Sequence, residues 1–381
     1  MMIEKSKRLQ NVKEYYFSTK LREVAGLINA GKPIINIAIG NPDLAPSEGV
    51  LKAIKNSLNH EKAHGYQSYQ GLPLLREAIG GFYKKNYGVS LNPTDEILPL
   101  MGSKEGIMHI SMAFLNAGDQ VLIPNPGYPT YASVTNLVGA IPVFYNLTAE
   151  SNWEPDFDAL EKQDLSKIKL MWVNYPHMPT GAKATRALYK KFVSFAIKHQ
   201  ILLVNDNPYS FILNDTPLSI LEIDGAKEIA LELNSMSKTF NMAGWRVGML
   251  LGNSELIKTV LQVKSNMDSG MFFGIQQGAI TALNLSGEWY IKINTIYTER
   301  RKIVWNILDK LKCTYDKSST GMFVWAKLPK GVSTTDCVDD LLYNKNIFIT
   351  PGTIFGSNGA GYIRLSLCVS ENQLTEALER L

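Results

Sequence analysis

The residues with the clearest capacity for chemistry lie between Asn234 and Gly248, in the run NSMSKTFNMAGWRVG. An apolar stretch, EIALEL, ends in Ser-Met-Ser-Lys, and after Gly244, Trp245 and Arg246 a second apolar stretch opens at Val247. Lys238, set between two buried strands, is expected to lose much of its solvation. Burial favours the neutral amine, which is the form that attacks carbonyl carbon. Ser235, Ser237 and Arg246 lie close in sequence and offer the donors that receive a phosphate. Taken alone, the same residues also describe a solvated surface turn. The rest of the chain separates the two readings.

The elements that would position these residues start near residue 97. Short apolar runs, ILPLM, QVLIP, IPVFY, KLMWV, ILLVN, EIALEL and RVGML, alternate with helical stretches such as Lys104 to Leu115 and Ala184 to His199. Near-continuous apolar strands separated by crossover helices predict an α/β fold, with a mostly parallel seven-stranded sheet covered by helices on both faces. Ligands of such sheets gather at the carboxyl ends of the strands. Gly102-Ser103-Lys104, Asn125 to Tyr128, Asn174 and Asp206 to Tyr209 all fall at such ends. That clustering points to a single site.

Upstream, Leu21, Val24, Ala25 and Ile28 recur at helical spacing and predict an amphipathic helix over roughly 14–30, stopped by Gly31. A short strand at 34–39 and a GNPD turn at 40–43 follow. Ser47 caps a helix to about Leu58, and Pro73 opens another. After about residue 285 a long helix leads into GMFVWAKL, IFIT, YIRLSL and a final helix, an α+β pattern. The expected division is a large domain over 46–285 and a smaller α+β domain built from 1–45 and 286–381. The N-terminal strand joins the smaller one because it lacks a local partner.

Composition bounds the function classes. The 381 residues carry a net charge of +4, too small to argue for nucleic acid. Cys313, Cys337 and Cys368 are three in number, cannot all pair, and match no metal motif, which fits a reducing cytoplasm. The N-terminal MMIEKSKRLQNVKEYY has no apolar signal core, and no apolar run is long enough to span a bilayer.

Together the strand ends resemble those of the class I/II aminotransferases, fold-type I enzymes that use pyridoxal 5'-phosphate. The likeness runs from GNPD at 40–43 to YIRLS at 362–366, and SMSKTFNMAGWRVG is its most specific element. It implies that Lys238 forms the Schiff base with the cofactor and shuttles the substrate proton. Asp206, in DNPY, would pair with the ring nitrogen, and Tyr209 would bond the phenolic oxygen. Gly102, Ser103, Lys104, Ser235, Ser237 and Arg246 would cup the phosphate, with Tyr66 reaching it from the other subunit of a homodimer. Tyr69 is close enough to be the alternative. Tyr128 would stack on the ring, Arg364 would grip the substrate α-carboxylate, and Gly40 would let the backbone approach the substrate.

One position departs from the pattern. Family members usually carry Asn-Pro-Thr-Gly where this chain has Met178-Pro179-Thr180-Gly181. A thioether is a weak acceptor and cannot donate. Asn174, a water or Tyr209 would then serve the cofactor's phenolic oxygen. The neighbouring His177 reads as turn packing. The resemblance implies a ping-pong exchange of an amino group between an L-amino acid and a 2-oxo acid, of aspartate/alanine or LL-diaminopimelate type. A β-lyase using the same cofactor is the alternative, and a non-catalytic sensor of cofactor or amino acid is a more distant one.

Overall fold

The structure, a computed structural model, describes residues 3–381. Its strands are β1 (Ile35–Asn36), β2 (Ile97–Leu100), β3 (Gln120–Asn125), β4 (Ile141–Asn146), β5 (Ile168–Val173), β6 (Leu202–Asp206), β7 (Ala230–Ser235), β8 (Gly248–Gly252), β9 (Thr314–Tyr315), β10 (Phe323–Lys327), β11 (Ile347–Phe348), β12 (Thr350–Pro351) and β13 (Tyr362–Ser366). Strands β2 to β8 form the expected seven-stranded sheet in the order β2-β8-β7-β6-β5-β3-β4. All pairings are parallel except those of β8, which runs antiparallel to both β2 and β7.

Both faces of this sheet are buried, which is why its strands read as continuous apolar runs. Leu170, Trp172, Val204, Leu231 and Leu233 pack on one face against Ile107, Ile110, Val134 and Val260 from three covering helices. Met171, Val173 and Leu203 pack on the opposite face, among Leu188, Phe192 and Val193. Polar groups that break this apolar pattern therefore sit at strand ends or inside compensating networks. Glu232 on β7 is such a case: it is fully buried and accepts from Tyr83 Oη at 2.9 Å, Ile220 N at 2.9 Å and Asn205 Nδ2 at 3.1 Å.

The chain's two ends share a second body. Strands β12, β13, β10 and β9 form an antiparallel sheet, and β1 pairs in parallel with β11, the partner its own neighbourhood lacks. The long helix Gly287–Lys310 leads into this part. The helix Tyr16–Asn29 forms within the expected span, but its buried face is different. Phe17 and Val24 are buried and Leu27 packs beside them, whereas Leu21, Ala25 and Ile28 are exposed. Two strand starts also move. Glu228 and Ile229 belong to a short helical turn, and Arg246 has a left-handed backbone with φ of 57°, so β8 begins at Gly248.

Candidate active site

A cavity of about 520 Å³ opens where the carboxyl ends of β2, β3, β5, β6 and β7 face the antiparallel sheet. Because β8 runs antiparallel to its neighbours, its amino end lies at this edge too and delivers Arg246. Gly40, Ser103, Lys104, Tyr128, Asn174, Asp206, Tyr209, Ser235, Ser237, Lys238, Arg246 and Arg364 all line the cavity. Gly102 is not part of the lining but packs against Arg246, which is. Tyr66 does not line its own chain's cavity and is 94% exposed, and Tyr69 is 45% exposed. His177 is buried in its turn, with Nδ1 at 2.7 Å from Thr180 Oγ1, and takes no part in the lining.

Asp206 ends β6 and is 5% exposed. Tyr131 Oη donates to its Oδ2 at 2.8 Å, while Oδ1 has no hydrogen-bond partner. Burial pushes the carboxyl up to about 7, against the opposing pull of the Tyr131 bond. A buried carboxylate oxygen without a donor is costly unless a ligand supplies one. Tyr131 is itself held by face-to-face stacking on Trp172, with ring centroids 4.8 Å apart and planes 5° apart. Tyr131 was missed in the sequence, although NPGYPTY places it three residues after Tyr128, the N-cap of its helix.

Lys238 lies in the short helix Met236–Thr239 that follows β7. Its Nζ donates to the Gly40 carbonyl, and desolvation holds its pKa below the ordinary lysine value. Arg364, on β13, is 4% exposed and stacks 3.8 Å above the Phe323 ring. Its Nη2 donates to Ala38 O at 2.8 Å and its Nη1 reaches Met178 Sδ at 3.3 Å, while Nε is unpartnered. Burial lowers its pKa to about 10. Among the described residues no carboxylate pairs with Arg364. A buried guanidinium facing a cavity with a thioether as its acceptor is poorly satisfied, and a planar carboxylate would satisfy it in two-pronged fashion.

The groups expected to cup a phosphate share the same lining. Ser103 opens the twelve-residue helix Ser103–Phe114, whose first amides are free to bind an anion. Gly102 has φ of 93°, and a Cβ there would lie 2.1 Å from Arg246 Nη2, so glycine lets the guanidinium pass. Ser235 caps the helix of Lys238 by accepting from Ser237 N at 3.1 Å and donates to Ser237 Oγ at 2.8 Å. Partial burial, and then the Arg246 charge, lower the pKa of Lys104.

At the departure from the family pattern, Met178 is 6% exposed and lines the cavity. Asn174 Oδ1 accepts from Met178 N at 2.9 Å, and its Nδ2 donates to Asp206 O. That leaves one amide hydrogen on Asn174 for anything in the cavity. Phe17, Phe323 and Phe355 close the apolar side.

Residues 32–381 match the model of the aminotransferases of class I and II. An LL-diaminopimelate aminotransferase of Dehalococcoides mccartyi is 40% identical over 378 residues, covering 99% of this chain and 97% of its own. One from Aquifex aeolicus is 39% identical over 382 residues, covering 100% and 99%. Among solved structures, substrate-bound BacF from Bacillus subtilis superposes with a TM-score of 0.95 at 36% identity, covering 100% of this chain and 97% of that one. A single mutant of Thermus thermophilus aspartate aminotransferase gives 0.92 at 26% identity, covering 100% and 99%. With the strand-end cavity, its lysine and its unpaired arginine in view, this chain belongs to the class I and II aminotransferases, enzymes that move an amino group between an amino acid and a 2-oxo acid.

Proposed function

We propose that this aminotransferase binds pyridoxal 5'-phosphate in the strand-end cavity and acts as a cytoplasmic homodimer on anionic amino acids. The observation that carries the reading is a mismatch within one cavity: a buried acid lacks a donor at Asp206 Oδ1, and a buried cation lacks an anion at Arg364. The cofactor's ring nitrogen and the substrate's carboxylate are the groups that would correct both. Ser103, Lys104, Ser235, Ser237 and Arg246 would hold the phosphate, with Tyr66 contributed by the second subunit. Tyr128 would lie against the ring, and Tyr209 and Asn174 would serve the phenolic oxygen.

When bound, the cofactor supplies an aldehyde for amine exchange and a cationic ring that accepts the electron pair left at substrate Cα. Lys238, its pKa lowered by desolvation, would remove the proton from Cα and return it on the other side of the exchange. Asp206 would keep the ring nitrogen protonated by accepting a hydrogen bond from it at the unpartnered Oδ1. Arg364 and Gly40 orient the substrate so that the Cα hydrogen points at the Lys238 amine. Phe17, Phe323 and Phe355 keep water from the reacting carbon.

Lys104 and Arg246 would be taken by the phosphate and Lys238 by the aldehyde, which leaves Arg364 as the cation of the lining for a substrate carboxylate. The names of the relatives make LL-diaminopimelate the first donor to try, and 2-oxoglutarate, a dicarboxylic 2-oxo acid, is the acceptor to set against it. The proposed domain division, 46–285 against 1–45 with 286–381, is supported by the β1–β11 pairing. The test is a single half-reaction with a panel of amino donors, read by conversion of the bound cofactor to its amine form. An acidic or diaminodicarboxylic donor is expected to react first. Release of ammonia with no amine form would overturn the reading in favour of elimination chemistry.

A further inference from the structure

We propose that Arg300, which lies outside the cavity, is a positioning residue that sets the spacing of the two chain segments between which the substrate carboxylate is held. The inference rests on the reading of Arg364 as the carboxylate-binding group. Arg300 is 2% exposed on the long helix Gly287–Lys310, and its guanidinium makes four bonds. Nη1 and Nη2 donate to the two oxygens of Asp43 at 2.6 and 2.8 Å. Nε donates to Glu371 Oε1 at 3.1 Å, and Nη1 also donates to Leu367 O at 3.1 Å.

Two of the anchors, Asp43 and Leu367, lie three residues from a group at the cavity. Asp43 follows Gly40, whose carbonyl holds Lys238 Nζ, and Leu367 follows Arg364. The Gly40 segment is also fastened just upstream. Ile37 O accepts from Ser366 N at 2.8 Å, and Ala38 O accepts from Arg364 Nη2 at 2.8 Å and Thr350 Oγ1 at 3.0 Å. Gly40 is pressed so closely on Phe323 that a Cβ would lie 2.2 Å from its ring, and Arg364 stacks on that same ring. Beyond Gly40, the bidentate bond to Asp43 is the next side-chain anchor of the segment. A planar fork can bind Asp43 and Leu367 O together, and a lysine ammonium cannot reproduce that geometry. Loss of the anchor frees the Gly40 segment relative to Arg364, and the penalty falls on binding whatever spans them.

The test compares Asp43→Asn, Arg300→Lys and the double variant with the wild-type holoenzyme. The measurements are KM for LL-diaminopimelate and 2-oxoglutarate, the dissociation constant of maleate as a dead-end carboxylate, and affinity for pyridoxal phosphate. Both single variants are expected to raise all three carboxylate constants about tenfold, with kcat changed less than about threefold and cofactor affinity within about twofold. The double variant should be no worse than either single one, because the pair acts as a unit. Asp43 is partly exposed, so Asp43→Asn serves even if Arg300→Lys folds poorly. Unchanged carboxylate constants overturn the proposal, as does an equal loss of cofactor affinity, which marks a merely structural role. Arg364→Lys separates the layers. If it raises the maleate constant while Asp43→Asn does not, Arg300 alone has been misread; if it leaves that constant unchanged, the reading of Arg364 falls as well.

Discussion

Replacing Asp206 by asparagine should stabilise the cofactor-free protein at neutral pH while weakening its hold on the cofactor. The carboxyl is 5% exposed, has one donor from Tyr131 and one unpartnered oxygen, and is pushed up to about 7 from 3.8 by burial. A folded-state pKa above the unfolded value means that the folded chain binds the proton more tightly. Between pH 3.8 and about 7 the unfolded chain therefore releases a proton that the folded chain keeps, and stability falls as pH rises through that window. A shift of about three units corresponds to roughly 4 kcal/mol lost across it. Asparagine has nearly the same shape and cannot ionise. Denaturant unfolding of the cofactor-free wild type and Asp206→Asn, across the range from about pH 4 to 8, isolates this group as the difference between the two curves. The difference should grow steadily in favour of the variant towards high pH, then level off. With pyridoxal phosphate added the variant's lead should shrink by about 1.5–3 kcal/mol, because a ring N–H donated to Oδ1 is a charge-assisted bond that a neutral amide cannot match. Parallel pH curves, or a variant that binds the cofactor as tightly as wild type, would refute the reasoning.

Two further outcomes follow from the site geometry. Gly102→Ala forces a Cβ to within 2.1 Å of Arg246 Nη2 at a φ of 93°, so the guanidinium must leave its seat. Cofactor affinity by equilibrium titration should fall at least about tenfold, and a stability loss of about 1–3 kcal/mol should accompany the strained backbone. Met178→Asn places an amide beside Arg364 Nη1 in place of a thioether at 3.3 Å. Transamination should continue in this variant, and a correctly folded protein without turnover would show that methionine is required.

Much of the sheet was legible because burial on both faces leaves an unmistakable composition in strands such as KLMWV and ILLVN. Arg364 was legible for the opposite reason, because a cation within an apolar strand needs a partner, and Lys238 became legible once the strand ends around it were read together. Tyr131 was harder to find because its task is tertiary. Its partner Asp206 is 75 residues away, and Tyr128, just before the same helix, had already been assigned the aromatic role. The N-terminal helix was placed by its periodicity but turned to the wrong face. Leu21, Ala25 and Ile28 keep helical spacing, yet the buried contacts are made by Phe17 and Val24 with Ala38 and Phe348, positions fixed by the β1–β11 pairing. The Arg300–Asp43 pair, 257 residues apart, leaves no local trace in either segment.

The central claim is that Lys238 is the amine that joins the cofactor, and borohydride reduction of the holoenzyme followed by peptide mass spectrometry tests it most directly. Reduction should leave the phosphopyridoxyl mass on the peptide containing Lys238, with no adduct formed by Lys238→Ala. An adduct on Lys104 or another lysine, or an unchanged yield from Lys238→Ala, would contradict the account.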